Sequence, residues 1–276
     1  MFERNCRLRL VMVVFAVLSL TLLNISGAGC GSGHKSSRGN VPVSTGTGSN
    51  TGTGSGTGTG TGSGTGGSSG SGGPKGVNSI ANGYSYAPDS YVDGGNPYPL
   101  IFILHGLGDN PKNLLLMWSS VAKEHGYLLC SLAASDTGSI GGYNNDPGSV
   151  DEQNMLAMLE HMKSNYNVRL DKITLFGFSN GGYYSCTIVF RFAKNPFDAW
   201  IVCSAYSLGF AQPSATKIPA YLMWGSKEQS APKCQKFADE LEADGWDVTT
   251  RIHSNGHTVP QSELPAMADW LDGKIP

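Results

Sequence analysis

One stretch constrains this chain more than any other. The apolar run Ile173-Thr174-Leu175-Phe176 ends in Gly177-Phe178-Ser179-Asn180-Gly181-Gly182 and passes directly into a segment of helical character that reaches about Lys194. A serine on a sharp turn between a buried strand and a helix is held in a strained backbone conformation. Glycines two residues to either side keep the neighbouring backbone from colliding. Gly177 and Gly181 fill those two places. Such a turn lifts the Ser179 hydroxyl above the strand ends, and the following helix aims its first N–H groups at any oxyanion formed there. Nucleophilic acyl transfer is the chemistry this arrangement suits. The same spacing recurs in Gly66-Gly67-Ser68-Ser69-Gly70, but no apolar residue lies near Ser68, so that match reads as a product of composition and its replacement by alanine is expected to do nothing.

The glycine excess of the chain, 38 in 276 residues, is local to its amino-terminal quarter. Arg4, Arg7 and Arg9 precede an unbroken apolar run from Leu10 to Leu23, shorter than the roughly 20 residues that span a bilayer and of the length found in export leaders. The small residues Ser26-Gly27-Ala28-Gly29 then lead to Cys30, in a pattern similar to the lipobox of bacterial lipoproteins, with Gly27 where leucine is usual. Residues 1–30 are therefore expected to be a signal segment, with Cys30 the lipidated residue and the membrane reached only through that anchor. The product would be a cell-envelope lipoprotein or a secreted protein. Residues 31–76 are almost wholly Gly, Ser and Thr and cannot bury enough surface to fold, which predicts a disordered tether with a reach of about 35–40 Å. Residues 77–276 remain for one compact domain.

A net charge of −2 argues against a nucleic-acid partner. Export permits disulfides among Cys130, Cys186, Cys203 and Cys234 in any of three pairings, but Cys130 and Cys203 sit in apolar strand-like runs that suit free buried thiols equally. No Cys/His spacing reads as a metal site. His253 and His257 are separated by the turn signal Asn255-Gly256, which disfavours a shared metal face.

Along the domain, Asn82 to Tyr91 suits an edge strand, and Leu100-Ile101-Phe102-Ile103-Leu104 a strand covered on both faces that ends at His105-Gly106-Leu107. Helical character over Lys112–His125 is followed by a strand over Tyr127–Ala133. A Gly- and Asn-rich loop then leads to Ser149 and Glu152, spaced as a capping box for a helix to about Asn165. After the elbow come strands at Ala199–Ser204 and Ala220–Gly225, a helix at Ala231–Asp244, a strand at Asp247–His253 and a terminal helix through Leu271. Alternating strands and helices predict an α/β domain with a mostly parallel sheet and helices on both faces, compact and without a large lid.

Ser179, Glu228 and His257 occur in the order nucleophile, acid, base, each after a predicted strand. With Tyr98 to Gly106, Gly177 to Gly182, Gly225-Ser226-Lys227-Glu228 and Gly256-His257-Thr258-Val259-Pro260, the domain resembles the extracellular α/β-hydrolase esterases grouped with polyhydroxybutyrate depolymerases and feruloyl esterases. The resemblance implies a serine hydrolase of carboxylic esters, small or polymeric, that needs no metal or organic cofactor. Ser179 would attack, His257 would act as base and Glu228 as its carboxylate partner, where many relatives carry aspartate. The backbone N–H groups of Leu107 and Asn180 would form the oxyanion hole. A serine peptidase of the same fold and a non-catalytic binding module on a hydrolase scaffold are the competing readings. Asp151 and Asp136 are alternative acids, disfavoured by preceding Ser179. His105 reads as a loop brace, His253, His125 and His161 as structural or surface groups, and His34 falls in the tether. Trp118, Tyr143, Tyr183, Tyr206 and Trp224 suit either a substrate pocket or the core.

Overall fold

A computed structural model describes residues 66–136, 142–207, 209 and 216–275. The expected leader, Cys30 and most of the Gly/Ser/Thr segment lie outside the described residues. Among those described, no helix is long and apolar enough to cross a membrane.

The chain builds an eight-stranded sheet. In sequence, the strands are β1 (Gly76–Ile80), β2 (Gly83–Ala87), β3 (Tyr98–Leu104), β4 (Leu128–Leu132), β5 (Val168–Phe178), β6 (Ala199–Cys203), β7 (Ala220–Gly225) and β8 (Val248–His253). Their spatial order is β1-β2-β4-β3-β5-β6-β7-β8; β1/β2 and β2/β4 are antiparallel and every later pair is parallel. The interleaved helices are α1 (Pro111–His125), α2 (Val150–Asn165), α3 (Asn180–Arg191), α4 (Ala231–Ala243) and α5 (Leu264–Lys274).

Side-chain alternation assigns the two faces. Leu100, Phe102 and Leu104 of β3 join Trp200 and Val202 of β6 in one core with apolar residues of α2, α3 and α4. Ile101, Ile103, Ile201 and Cys203 point the other way, into a second core with α1 and α5. Both faces being covered explains why the central strands read as unbroken apolar runs. Cys130, Cys186, Cys203 and Cys234 are all free and buried within these cores.

Three local expectations are revised. The predicted edge strand from Asn82 is the second half of a hairpin: Ala81 and Asn82, the latter with φ 65°, turn the chain back on β1 so that Gly83 pairs with Ile80, and Asn82 is turn rather than strand. The capping box is half formed. Ser149 Oγ accepts the Glu152 N–H at 3.3 Å, but the Glu152 carboxylate accepts from Gly148 N–H and pairs with Arg191 instead of returning to Ser149.

The third revision concerns the tether, whose last residues are packed onto the domain. Gly67 bridges Arg169 at the start of β5, Ser68 N–H donates to Val168 O, and Gly70 and Gly72 N–H donate to Lys163 and Asn165 carbonyls. Ser68 Oγ donates to Tyr166 O at 2.6 Å and accepts from Val168 N–H at 2.8 Å. The glycines are there for contact: a Cβ on Gly73 would sit 2.2 Å from the Tyr166 ring. Backbone hydrogen bonding rather than apolar burial holds this segment, which is why composition alone read it as unfoldable. Ser68→Ala is accordingly expected to lower unfolding free energy by about 1 kcal/mol, the scale of a lost buried hydrogen bond. Chemical denaturation checks this, and an unchanged midpoint would return Ser68 to the tether.

Candidate active site

The nucleophile turn forms where β5 runs out. Ser179 has φ 53° and ψ −116°, a conformation that costs a non-glycine residue about 1–3 kcal/mol. Its glycine neighbours are dictated by contact. A Cβ on Gly177 would lie 2.5 Å from Gly181 O, and one on Gly181 would lie 2.4 Å from Leu104 O and 2.6 Å from His105 O. Helix α3 starts at Asn180, so the Asn180 N–H has no acceptor one turn back along the helix.

His257 arrives from the loop after β8. That loop crosses the end of β7 at Gly225, where a Cβ would sit 2.3 Å from the carbonyls of both Asn255 and Gly256. Two backbone bonds, Ser226 N–H to His253 O and Lys227 N–H to Asn255 O, clip the loops together. The structure thereby brings three of the sequence-derived residues into one line. Ser179 Oγ is 2.8 Å from His257 Nε2, and His257 Nδ1 is 2.7 Å from Glu228 Oε2. A carboxylate only accepts, so Nδ1 carries the proton and Nε2 is left to accept from the serine hydroxyl. The Glu228 side chain is 2% exposed, against 46% for His257. Its other oxygen accepts Gly225 N–H at 3.0 Å, which fixes the carboxylate on both sides.

The loop after β3 runs beside the serine. A Cβ on Gly106 would meet the Phe178 ring at 3.1 Å and lie 3.6 Å from Ser179 Cβ. Leu107 follows it, and the first N–H of α3 is that of Asn180, so the two residues expected to form the oxyanion hole belong to the two elements that meet at Ser179.

His105 braces this loop. It is buried, its Nδ1 is 2.7 Å from Gly106 O, and its Nε2 accepts Ala134 N–H at 3.2 Å. The remaining groups sort themselves by contact. Asp151 is fully buried and accepts from Ser135 N–H, Ser135 Oγ–H and Asn144 N–H, so it clamps a loop and has no part in holding His257. His125 pairs with Asp272, His161 with Asn165, and His253 lies buried at the end of β8. Trp118 packs on Phe176 in the core and Trp224 is buried. Tyr183 and Tyr206 meet edge to face near the triad.

Sequence reasoning missed a network behind the elbow. Asn180 Oδ1 accepts Tyr143 N–H at 2.9 Å, while the Tyr143 hydroxyl donates to Leu132 O and accepts His105 N–H. These contacts tie the loop that ends at Ser149 to Asn180 and to His105, two residues before Leu107. Only the high density of Gly, Asn and Tyr around residues 138–148 hinted at it.

Burial holds the His105 pKa below its ordinary value of 6.5, against the opposing pull of Gly106 O, Asp109 and Asp151. A depressed histidine contributes stability that is complete above pH 6.5 and lost as pH falls toward the folded value, because the unfolded chain takes up the proton first. Unfolding free energy should therefore drop more between about pH 7.5 and about pH 5.5 in the wild type than in His105→Gln. Equal drops, measured by denaturant titration at the two pH values, would remove His105 from this role.

No family model matches the chain. A bifunctional acetylxylan esterase/xylanase of Neocallimastix patriciarum is 25% identical over 146 residues, 52% of this chain, which spans only 21% of that longer protein. Among solved structures, esterase PE8 aligns with a TM-score of 0.56 at 19% identity, over 72% of this chain and 99% of that one. The fluorophosphonate-binding serine hydrolase F of Staphylococcus aureus gives 0.54 at 12% identity, over 72% and 96%. A Bacillus cereus carboxylesterase gives 0.50 at 18%, over 64% and 89%. The chain has the α/β-hydrolase fold, and these structural neighbours are esterases and serine hydrolases.

Proposed function

We propose that this protein is an exported serine hydrolase that cleaves carboxylic esters through Ser179, His257 and Glu228. The observation that carries the reading is the continuous hydrogen-bonded line from the Ser179 hydroxyl through the His257 ring to a buried, doubly held Glu228. Ser179 Oγ attacks the acyl carbon as its proton passes to His257 Nε2, and the carbonyl oxygen takes up negative charge between the N–H groups of Leu107 and Asn180. The C–O bond then breaks, and the alcohol leaves with the proton from Nε2. A water molecule attacks the acyl-enzyme, giving one proton to Nε2; that proton returns to Oγ as the carboxylic acid departs. Glu228 keeps Nδ1 protonated and stabilises the imidazolium present at both transition states.

Purified protein should react with a fluorophosphonate probe and hydrolyse activated short-chain esters, and Ser179→Ala should lose both, retaining less than about a hundredth of the turnover. An unlabelled wild type would leave a binding module as the better reading. Glu228→Gln keeps the shape but offers the ring a neutral partner, so kcat should fall by up to about 10⁴-fold with KM little changed. If that variant stays within about tenfold of wild type while Asp151→Asn is inactive, the acid is not Glu228.

Export and lipidation are part of the same proposal. They are supported by the basic residues ahead of the Leu10–Leu23 run and by the small residues before Cys30. The wild type expressed in a bacterium should partition with membranes and Cys30→Ser should not, since acyl chains contribute roughly 0.8 kcal/mol per buried methylene. Wild type found free in the medium would favour plain secretion.

A further inference from the structure

Helices α3 and α4 both start at the carboxyl end of the sheet, one directly after Ser179 and the other shortly after Glu228. Beside α4, where the chain leaves β6, lies a groove of about 300 Å³, lined by Tyr206, Ser207, Lys233, Lys236, Phe237 and Glu240. Its inner wall continues toward the nucleophile. A Cβ on Gly182 would sit 2.6 Å from Ala205, the residue before Tyr206, and the Tyr206 ring meets the Tyr183 ring at a centroid distance of 5.1 Å. Tyr183 in turn lies one helical turn beyond Ser179, whose carbonyl accepts the Tyr183 N–H.

The charges of this groove do not balance. Lys236 pairs with Glu240 at 3.4 Å, and Glu228 is committed to His257 and Gly225. Lys233 forms no ion pair among the described residues. Its ammonium is instead held by neutral groups, 3.2 Å from the Tyr206 hydroxyl and 5.4 Å from the centre of the Tyr206 ring. Those contacts position the cation at the groove without neutralising it. Its place also runs against helix electrostatics: Lys233 stands in the first turn of α4, which carries no acidic residue and where the helix dipole disfavours a cation. A flat apolar wall, a phenol and an unmatched cation beside an acyl-transfer site are the elements that recognise a carboxylate on a small apolar body.

We infer that the groove between α4 and the chain leaving β6 is a substrate subsite that selects esters bearing a carboxylate, with Lys233 as the anion-binding group and Tyr206 and Phe237 as the walls. This deepens the proposed ester hydrolysis and rests on it. Either half of the ester could supply the charge, and two matched substrates separate the cases. The hemisuccinate of 4-nitrophenol carries the carboxylate on the acyl side; 4-acetoxybenzoate carries it on the leaving phenol. Each is compared with a neutral counterpart, 4-nitrophenyl butyrate and methyl 4-acetoxybenzoate.

For at least one pair, the full-length protein should favour the charged ester in kcat/KM by about five- to tenfold, the scale of one charge-assisted contact at a partly exposed site. That ratio should shrink with added salt, fall to about one or below in Lys233→Met, invert in Lys233→Glu and return in Lys233→Arg. Ratios near one for both pairs in the wild type, or a preference that survives Lys233→Met, would overturn the inference while leaving the esterase reading intact. Binding is tested apart from turnover by calorimetric titration of Ser179→Ala with 4-hydroxybenzoate and with its methyl ester. Tighter binding of the anion, lost when Lys233→Met is added, supports the subsite even where no ester is cleaved. Equal binding of the two probes removes the leaving-group case, and equal binding of succinate and of its neutral dimethyl ester as well removes the subsite.

Discussion

Everything at the candidate site hangs on the backbone at Ser179. A non-glycine residue at φ 53° and ψ −116° persists only where its surroundings leave no alternative. Here the surroundings are three strands. Ser179 N–H is taken by Cys203 O at the end of β6, and Gly181 N–H by His105 O at the end of β3, while β5 delivers the serine itself. The adjoining strand repeats the device, for Ser204 also has φ 53° and donates its N–H to Met223 O of β7. The bend at the elbow is thus passed sideways across the sheet, and the chain after β6 is turned beneath Gly182. Removing any one of these bonds would free a turn that the intrinsic preferences of serine oppose.

The position of the turn follows from topology. β3 lies between β4 and β5, so the connections leaving its carboxyl end and that of β5 run to opposite faces of the sheet and open a crevice there. The crevice receives His105-Gly106-Leu107 from one side and the amino terminus of α3 from the other. Glu228 and His257 come from the two strands farthest along the parallel half, and Gly225 allows their loops to cross at backbone contact distance. A residue with any side chain at 225 would push the histidine loop away from the sheet, so this glycine sets the reach of His257 as firmly as Gly177 and Gly181 set the turn.

Much of this was legible in the sequence because the central strands are covered on both faces and their ends carry glycines forced by close approach. Runs such as Leu100–Leu104 and Ala199–Cys203 announce themselves by composition, and Ser179, Glu228 and His257 by the motifs that follow such runs. What stayed hidden depends on partners distant in sequence. Glu152 has the spacing of a capping residue, but Arg191 from α3 draws its carboxylate elsewhere. Asp151 resembled a spare acid until its three donors were seen to come from Ser135 and Asn144. The hairpin of β1 and β2 was obscured because Gly76-Val77-Asn78-Ser79-Ile80 has weak strand character and gains its place only by pairing. Residues 66–75 were obscured for a related reason, since glycine and serine hold them through the main chain.

That last segment has a mechanical consequence. Ser68 and Gly67 grip β5 at Val168 and Arg169, its first residues, whereas Ser179 stands just past its last. Val168 lies opposite Tyr98 and Gly177 opposite Leu104, so at about 3.3 Å per residue of β3 the gripped end stands on the order of 25 Å from the nucleophile, at the opposite end of the sheet. Gly66 itself is held there, its carbonyl accepting Leu170 N–H, away from the mouth of the site. A pull on the same end is borne first by the hydrogen bonds to Val168 and Tyr166, then by a strand flanked on both sides, and it reaches the elbow only after β3 and β6 have shared the load.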